Sequence, residues 1–146
     1  MKPIAIGCDP NAQGLKDVVI AKLQSMGHEV SDYGSEDPIY PNVAIEVAQR
    51  VAAGDHDRGI LMCGTGIGVS IAANKVDGAY AALCSDAYSA DRARKSNSAN
   101  IMCLGAQVIG EKLAEVLVEI WMNAEFDPAG RSAPKVQRIC DYEAGT

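Results

Sequence analysis

Short apolar runs alternate along this chain with stretches whose apolar residues recur at the period of a helix. Lys2 to Cys8 reads as a strand, and Gln13 to Met26 as a helix with Leu15, Val18, Val19 and Leu23 at a period of about 3.6, stopped by Gly27. His28 to Tyr33 alternates as a second strand. The polar loop Gly34 to Pro41 then leads into a helix over Asn42 to Ala53, with Gly54 as its C-terminal signal. Gly59 to Met62 is apolar without alternation, as a strand covered on both faces should be. A glycine-rich turn and a helix follow it. Gly78 to Leu83 and Asn100 to Leu104 supply strands four and five, with a helix over Ala87 to Lys95 between them and an amphipathic helix over Glu111 to Asn123 after them.

Strands alternating with helices at this spacing predict a parallel sheet with right-handed crossovers. The expected fold class is α/β: a Rossmann-like, doubly wound three-layer sandwich with a five-stranded parallel sheet and a C-terminal helix. The 146 residues read as one domain, with the sandwich over 1–125 and a tail over 126–146 that breaks at Pro128 and Gly130 and resumes helically from Ser132. A helix appended in this way often packs on a second subunit. Ligands of such sheets bind outside the carboxyl ends of the strands, an argument that places Asp9, Cys63, Ser85-Asp86 and Ser96-Asn97 near one edge.

The stretch from Arg58 to Lys75 carries the most chemistry. Cys63 ends strand three, and Gly64, Gly66 and Gly68 at alternate positions let the backbone turn sharply beside a helix start. Successive N–H groups in such a turn favour an anion, and the same field favours thiolate over thiol, lowering a cysteine pKa to about 3.5–7.5 in known cases. The plainer reading is a cysteine that fills space at a strand end, with glycines present for a tight turn only. Neither G-x-G-x-x-G after the first strand nor a Lys-Ser/Thr after the glycines is present, which disfavours dinucleotide and Walker-type phosphate binding.

Charge and cysteine usage narrow the classes further. A formal charge of −6 argues against general binding to nucleic acid or to an anionic membrane. No signal-peptide pattern and no membrane-length apolar run is visible, so the expected location is cytoplasmic. The five cysteines, Cys8, Cys63, Cys84, Cys103 and Cys140, are odd in number, and four of them sit in or at the end of expected strands, which suits reduced thiols. No Cys-x-x-Cys or His-x-x-x-His spacing points to a structural metal.

Cys63-Gly64-Thr65-Gly66-Ile67-Gly68, followed by Ser70-Ile71-Ala72-Ala73-Asn74-Lys75, resembles the signature of the ribose-5-phosphate isomerase B and galactose-6-phosphate isomerase family. The likeness extends through Ile4 to Asp9, Tyr40-Pro41, Ala81 to Asp86, Ser96-Asn97 to Asn100, Leu104-Gly105, Val108 to Gly110 and Phe126-Asp127. The resemblance implies that Cys63 is the base, with Thr65 as a proton relay at the sugar oxygens or else bonded within its own turn. It also implies that Gly64, Gly66, Ile67 and Gly68 line the substrate and that Asp9 lies near the sugar hydroxyls, where a helix cap is the alternative. Tyr40 would close over the substrate or merely pack, and Asn97 would come from a partner subunit.

Departures from the family pattern are equally informative. Pro10 stands where the family usually has a His, Ser96 stands where another His precedes the asparagine, and the tail offers Arg131, Ser132 and Lys135 where a Gly-Arg-His motif and a further Arg are usual. Arg131 and Lys135, spaced i and i+4, are candidates for the phosphate. The two histidines present, His28 and His56, belong at amino ends of strands and are expected to be solvated and structural.

The implied activity is cofactor-independent aldose-ketose isomerisation of a small sugar phosphate through a cis-enediolate, of the ribose 5-phosphate type, in a homodimer or tetramer with shared sites. The missing His at Ser96 favours an alternative substrate, an open-chain tetrose 4-phosphate that needs no ring-opening acid. A different class also fits: a phosphosugar-binding or regulatory subunit that has lost catalysis.

Overall fold

The computed structural model describes residues 1–146. Five strands, β1 (Ile4–Cys8), β2 (Val30–Asp32), β3 (Gly59–Cys63), β4 (Ala81–Leu83) and β5 (Ile101–Gly105), form one sheet in the order β2-β1-β3-β5-β4, with every pairing parallel. Six helices connect and follow them: α1 (Gln13–Ser25), α2 (Pro41–Ala52), α3 (Ile67–Ala73), α4 (Ala87–Lys95), α5 (Glu111–Asn123) and α6 (Ala133–Glu143). The expected Rossmann-like sandwich is the observed one. No helix is long and apolar enough to cross a membrane.

The three central strands are buried at every position, which is why they carry apolar residues without alternation. Successive side chains still point to opposite faces. Ile4, Ile6, Ile60, Met62, Met102 and Leu104 pack under α1, α4 and α5, whereas Ala5, Leu61, Ile101 and Cys103 pack under α2 and α3. The edge strands are shorter than the sequence pattern predicts, three residues each against His28–Tyr33 and Gly78–Leu83. Each pairs on one side only, so the residues flanking its short ladder have no second neighbour to hold them extended.

One buried polar residue ties β3 to the end of α5. Arg58, 3% exposed just before β3, donates to the carbonyl oxygens of Trp121, Met122 and Ala124 at 2.9–3.1 Å and to Glu125 at 2.8 Å. Those carbonyls end α5, where a helix leaves its last acceptors unpaired and a cation is favourable. The guanidinium also lies over the Trp121 ring, 5.4 Å from its centroid.

His56 departs from expectation. It is 5% exposed, not solvated, because both ring nitrogens have partners inside the protein. Nδ1 lies 2.7 Å from the Pro3 carbonyl oxygen, which can only accept, so Nδ1 carries a proton, and Nε2 shares a hydrogen bond of 2.7 Å with the Tyr33 hydroxyl. A fully bonded imidazole at the amino edge is structural. His28 is half-buried.

Arg58→Leu is expected to cost about 3 kcal/mol or more of unfolding free energy, because three helix-end carbonyls lose their donor. The measurement is a urea titration, in which the midpoint should fall at constant m. An unmoved midpoint would show that water replaces the guanidinium without cost.

Candidate active site at the carboxyl edge and a remote cationic cleft

At the carboxyl edge, β1 delivers Asp9, β3 delivers Cys63 and its glycine loop, and the β5–α5 turn closes on that loop. The amides of Ala106 and Gln107 donate to the carbonyls of Cys63 and Gly64, each at 2.9 Å. Asp9 is held to the sheet by its own N–H on the Met62 carbonyl at 2.9 Å. Its Oδ1 accepts from the Asn11 N–H at 2.7 Å and caps a short 3-10 turn, Pro10–Ala12, whose fixed first residue is Pro10. The capping role is therefore filled, and Oδ2 has no bond within the chain.

The glycine loop forms as its sequence demands. Gly66 has φ +81°, and a Cβ there would sit 2.5 Å from Leu83 Cδ1 and 2.9 Å from the Leu104 carbonyl carbon, so both conformation and space require glycine. Its N–H donates to Cys63 Sγ at 3.2 Å. The Thr65 hydroxyl accepts from the Ile67 N–H at 3.2 Å, the turn-stabilising geometry, and keeps its own hydrogen free. Ile67 begins α3 and is 52% exposed. The backbone N–H groups of Gly64, Thr65 and Gly68 find no acceptor in the chain, and all three residues are at least partly accessible. They are free for a ligand.

Cys63 is distinguished from the other buried thiols by this amide donor. Burial pushes the Cys8 thiol up to about 11, and burial with the Asp86 charge does the same to Cys84. Burial also drives Cys103 far upward. These three remain protonated at neutral pH. Tyr40 reaches across from the start of α2 so that its hydroxyl lies directly against Gly68, where any Cβ would overlap it. Packing on the loop is thus the observed state of Tyr40. A cleft of about 470 Å³ opens beside β2, between Cys8 and the 2.7 Å ion pair of buried Lys16 with exposed Asp32, and is lined by neither Cys63 nor Thr65.

Ser96 and Asn97 are not at this edge. Asp86 caps α4 by accepting from Ser89 N–H at 2.8 Å, and the nine residues of the helix then carry the chain back about 14 Å, antiparallel to the strands. Ser96-Asn97 consequently lies at the amino edge, shortly before β5 begins. The expectation of a single edge fails because it counts positions after β4 without counting the direction of the helix. Arg131 and Lys135 join Ser96 and Asn97 there, in a cleft of about 570 Å³ that also includes Arg92 and Ser132. The tail is fixed to this edge by Glu143, which accepts from the Gly78 N–H at 3.1 Å and the Tyr80 hydroxyl at 2.6 Å. One copy of the chain therefore holds two separate groups of candidate residues.

Two residues at these places escaped the sequence reading. Gln107 lies with its carboxamide over Gly64, its Oε1 3.3 Å from where a Cβ would be. Its position two residues after Leu104-Gly105 at a strand end was the available signal. Arg92 gave a weaker one, its i, i+4 spacing to Ser96 on α4.

A Rossmann-like sandwich with a thiol and free amides outside its strand ends is the plan of an α/β enzyme whose ligand sits at the carboxyl edge. Residues 4–139 match the model of the Ribose/Galactose Isomerase family. The chain is 52% identical to D-erythrulose-4-phosphate isomerase of Pectobacterium atrosepticum, over 98% of this chain and 96% of that protein. It is 50% identical to ribose-5-P isomerase B of Listeria innocua, over 91% of each. The solved structure of ribose-5-phosphate isomerase B from Clostridium thermocellum is similar with a TM-score of 0.92 at 42% identity, covering 99% of both chains. The chain belongs to the ribose/galactose isomerase family and is a sugar-phosphate aldose-ketose isomerase.

Gly68→Ala is expected to cost about 1–3 kcal/mol by driving Tyr40 off the loop. In a Tyr40→Ala background the same change should cost much less, so a double-mutant cycle on unfolding free energy gives a coupling of about 0.5–3 kcal/mol. Additive costs would mean that Tyr40 does not rest on the loop in solution.

Proposed function

We propose that this isomerase interconverts an open-chain tetrose 4-phosphate and its ketose, D-erythrose 4-phosphate and D-erythrulose 4-phosphate. One observation carries the choice of substrate: Ser96 Oγ accepts a hydrogen bond from Arg92 Nε at 2.6 Å. The group at that position is a weakly acidic hydroxyl engaged with a cation. A pentose 5-phosphate closes a five-membered ring through O4 and needs a general acid to open it, a step for which such catalysis is worth about 10²–10⁴-fold. A tetrose 4-phosphate has O4 esterified and forms no such ring. The likeness to the erythrulose-phosphate enzyme over nearly the whole chain supports this reading, while the comparable likeness to a ribose-phosphate enzyme favours ribose 5-phosphate as the second one.

In the proposed reaction the Cys63 thiolate removes the proton from C2 of the aldose, and the resulting enediolate is held by the free N–H groups of the glycine loop. Each such donor is typically worth about 10²–10³ in rate. The thiol returns the proton to C1, and the free hydrogen of the Thr65 hydroxyl serves the transfer between O1 and O2. Asp9, Pro10, Tyr40 and Ile67 border the sugar. No cofactor takes part in this scheme.

The phosphate sits between Arg131 and Lys135, contributed with Asn97 by a second copy, so the sandwich and the tail act as one unit in a homodimer. Two features support the shared site. The two groups of residues lie at opposite edges of one copy, and apolar side chains stand uncovered beside both. Ile71 of α3 is 58% exposed, Tyr88 of α4 76%, and Ile139 and Tyr142 of α6 51% and 78%.

Three outcomes are expected. Cys63→Ala should lose at least about 10² in kcat while folding normally, and iodoacetate should inactivate the native protein with protection by substrate. Mixing Cys63→Ala with Asn97→Ala subunits should restore up to about a quarter of native activity, because half of randomly paired dimers carry one intact site. Native kcat/KM should favour erythrose 4-phosphate over ribose 5-phosphate. A tenfold preference for ribose 5-phosphate, about 1.4 kcal/mol, would refute the tetrose assignment, and an active Cys63→Ala variant would refute the mechanism.

A further inference from the structure

We propose that Arg92 is a third phosphate-binding side chain of the site, with Ser96 as its positioning residue. This rests on the reading that the cleft of Arg131 and Lys135 receives the substrate phosphate.

Arg92 and Ser96 occupy i and i+4 of α4 and its cap, so they share a face. The 2.6 Å bond from Nε to Ser96 Oγ fixes the plane of the guanidinium and leaves its two terminal amino groups to other partners. Those amino groups are poorly used within the chain. The nearest carboxylate, Asp91, lies 3.9 Å away and is engaged by Lys95 at 2.9 Å. Arg131 and Lys135 make no ion pair at all.

Arg92 therefore lines the cleft of about 570 Å³ with two other cations, and it also lines an adjoining cleft of about 280 Å³ with Arg131. Two carboxylates also line that second cleft, and each has a partner within the chain for at least one oxygen. Glu125 is held by Arg58 at 2.8 Å and faces Arg94 at 3.7 Å, and Asp127 Oδ1 accepts from the Ala129 N–H at 2.9 Å. Three like charges gathered in one concavity repel one another unless an anion joins them. A phosphate monoester carries about −1.5 to −2 at neutral pH, and a guanidinium with both terminal amino groups free matches its oxygens bidentately. The same bond that aims Arg92 engages the Ser96 oxygen as its acceptor. The position gains affinity for phosphate and offers only an alcohol as an acid.

The test is competitive inhibition by inorganic phosphate, together with KM and kcat, in native protein, Arg92→Leu, Arg92→Lys and Ser96→Ala. Oligomeric state and melting temperature are measured alongside. Arg92→Leu should raise the phosphate Ki and the substrate KM in step by about tenfold or more, far more than it lowers kcat. Arg92→Lys should recover part of the loss as a point charge without the fork, and Ser96→Ala should shift both constants in the same direction by less. A phosphate Ki within twofold of native in folded Arg92→Leu overturns the proposal, as does a native protein that phosphate does not inhibit. Arg92→Lys supplies the same comparison if the leucine variant fails to fold. The inhibition constant is read on whichever sugar phosphate the protein turns over, so failure of the tetrose assignment shows in substrate preference and leaves this measurement intact.

Discussion

A helix that follows a parallel strand must run back along the sheet before the next strand can begin, and this constraint governs where every candidate group can be. Residues at strand ends collect at the carboxyl edge, and residues at the ends of the intervening helices collect at the amino edge. Cys63 and Asp9 belong to the first set, Ser96 and Asn97 to the second, with the length of α4 between them. The tail joins the second set because α5 also ends at the amino edge, where Arg58 holds its last carbonyls and Glu143 ties α6 to the approach to β4. No side-chain rotation in one copy closes a gap of that size. A catalytic centre that uses both sets must be assembled from two copies, and a twofold axis provides two such centres at once.

The glycine loop is the local counterpart of that constraint. Gly66 is pinned between Leu83 and the Leu104 carbonyl carbon, and the neighbouring turn after β5 grips the loop through two backbone hydrogen bonds. The edge at which the substrate is proposed to bind is thus stiffened by the pairing of β3 with β5, in the middle of the sheet, where the strands are wholly buried. Free amides held by buried strands need little reorganisation when negative charge develops next to them, which is the condition under which such donors contribute most to a rate. Tyr40 completes the arrangement from the neighbouring helix α2 of the same layer by resting its hydroxyl on Gly68.

Much of this was legible in the chain because local chemistry decides it. Apolar runs, helix-stopping glycines and the Cys63 loop fix the order of elements and one half of the site without reference to anything distant. What stayed hidden depended on distant partners or on direction. The edge of Ser96-Asn97 follows from the course of α4 and not from the residues themselves. His56 looked like a loop histidine among aspartates, yet the Pro3 carbonyl, 53 positions away, and Tyr33 draw it inside. Arg58 stands at the head of the strand-and-loop stretch with nothing local to mark its role, because its partners begin 63 residues later. Gln107 sits in a segment otherwise recognisable by its glycines, and only the closeness of two strand ends shows that its carboxamide covers Gly64.

On the proposed reading of the amino-edge cleft, substrate choice shifts without touching the reacting atoms. A hydroxyl at Ser96 leaves room and an acceptor for a guanidinium one turn earlier on the same helix, so the exchange of an acid for a cation is geometrically a local event on α4. Its chemical consequence is not local. Ring opening requires a proton delivered at the right distance, whereas phosphate binding requires only charge and direction, and in the proposed site the second demand falls to Arg92, Arg131 and Lys135, of which Arg92 alone faces a carboxylate, that of Asp91 at 3.9 Å. A sugar phosphate that is already open has no use for the acid and full use for the cations. In the proposed centre, built across two copies, the phosphate is the part of the substrate that meets the second chain. Stronger grip there positions the far end of a short molecule against the Cys63 loop, where a misplacement of about 1 Å is enough to cost roughly 10² in rate.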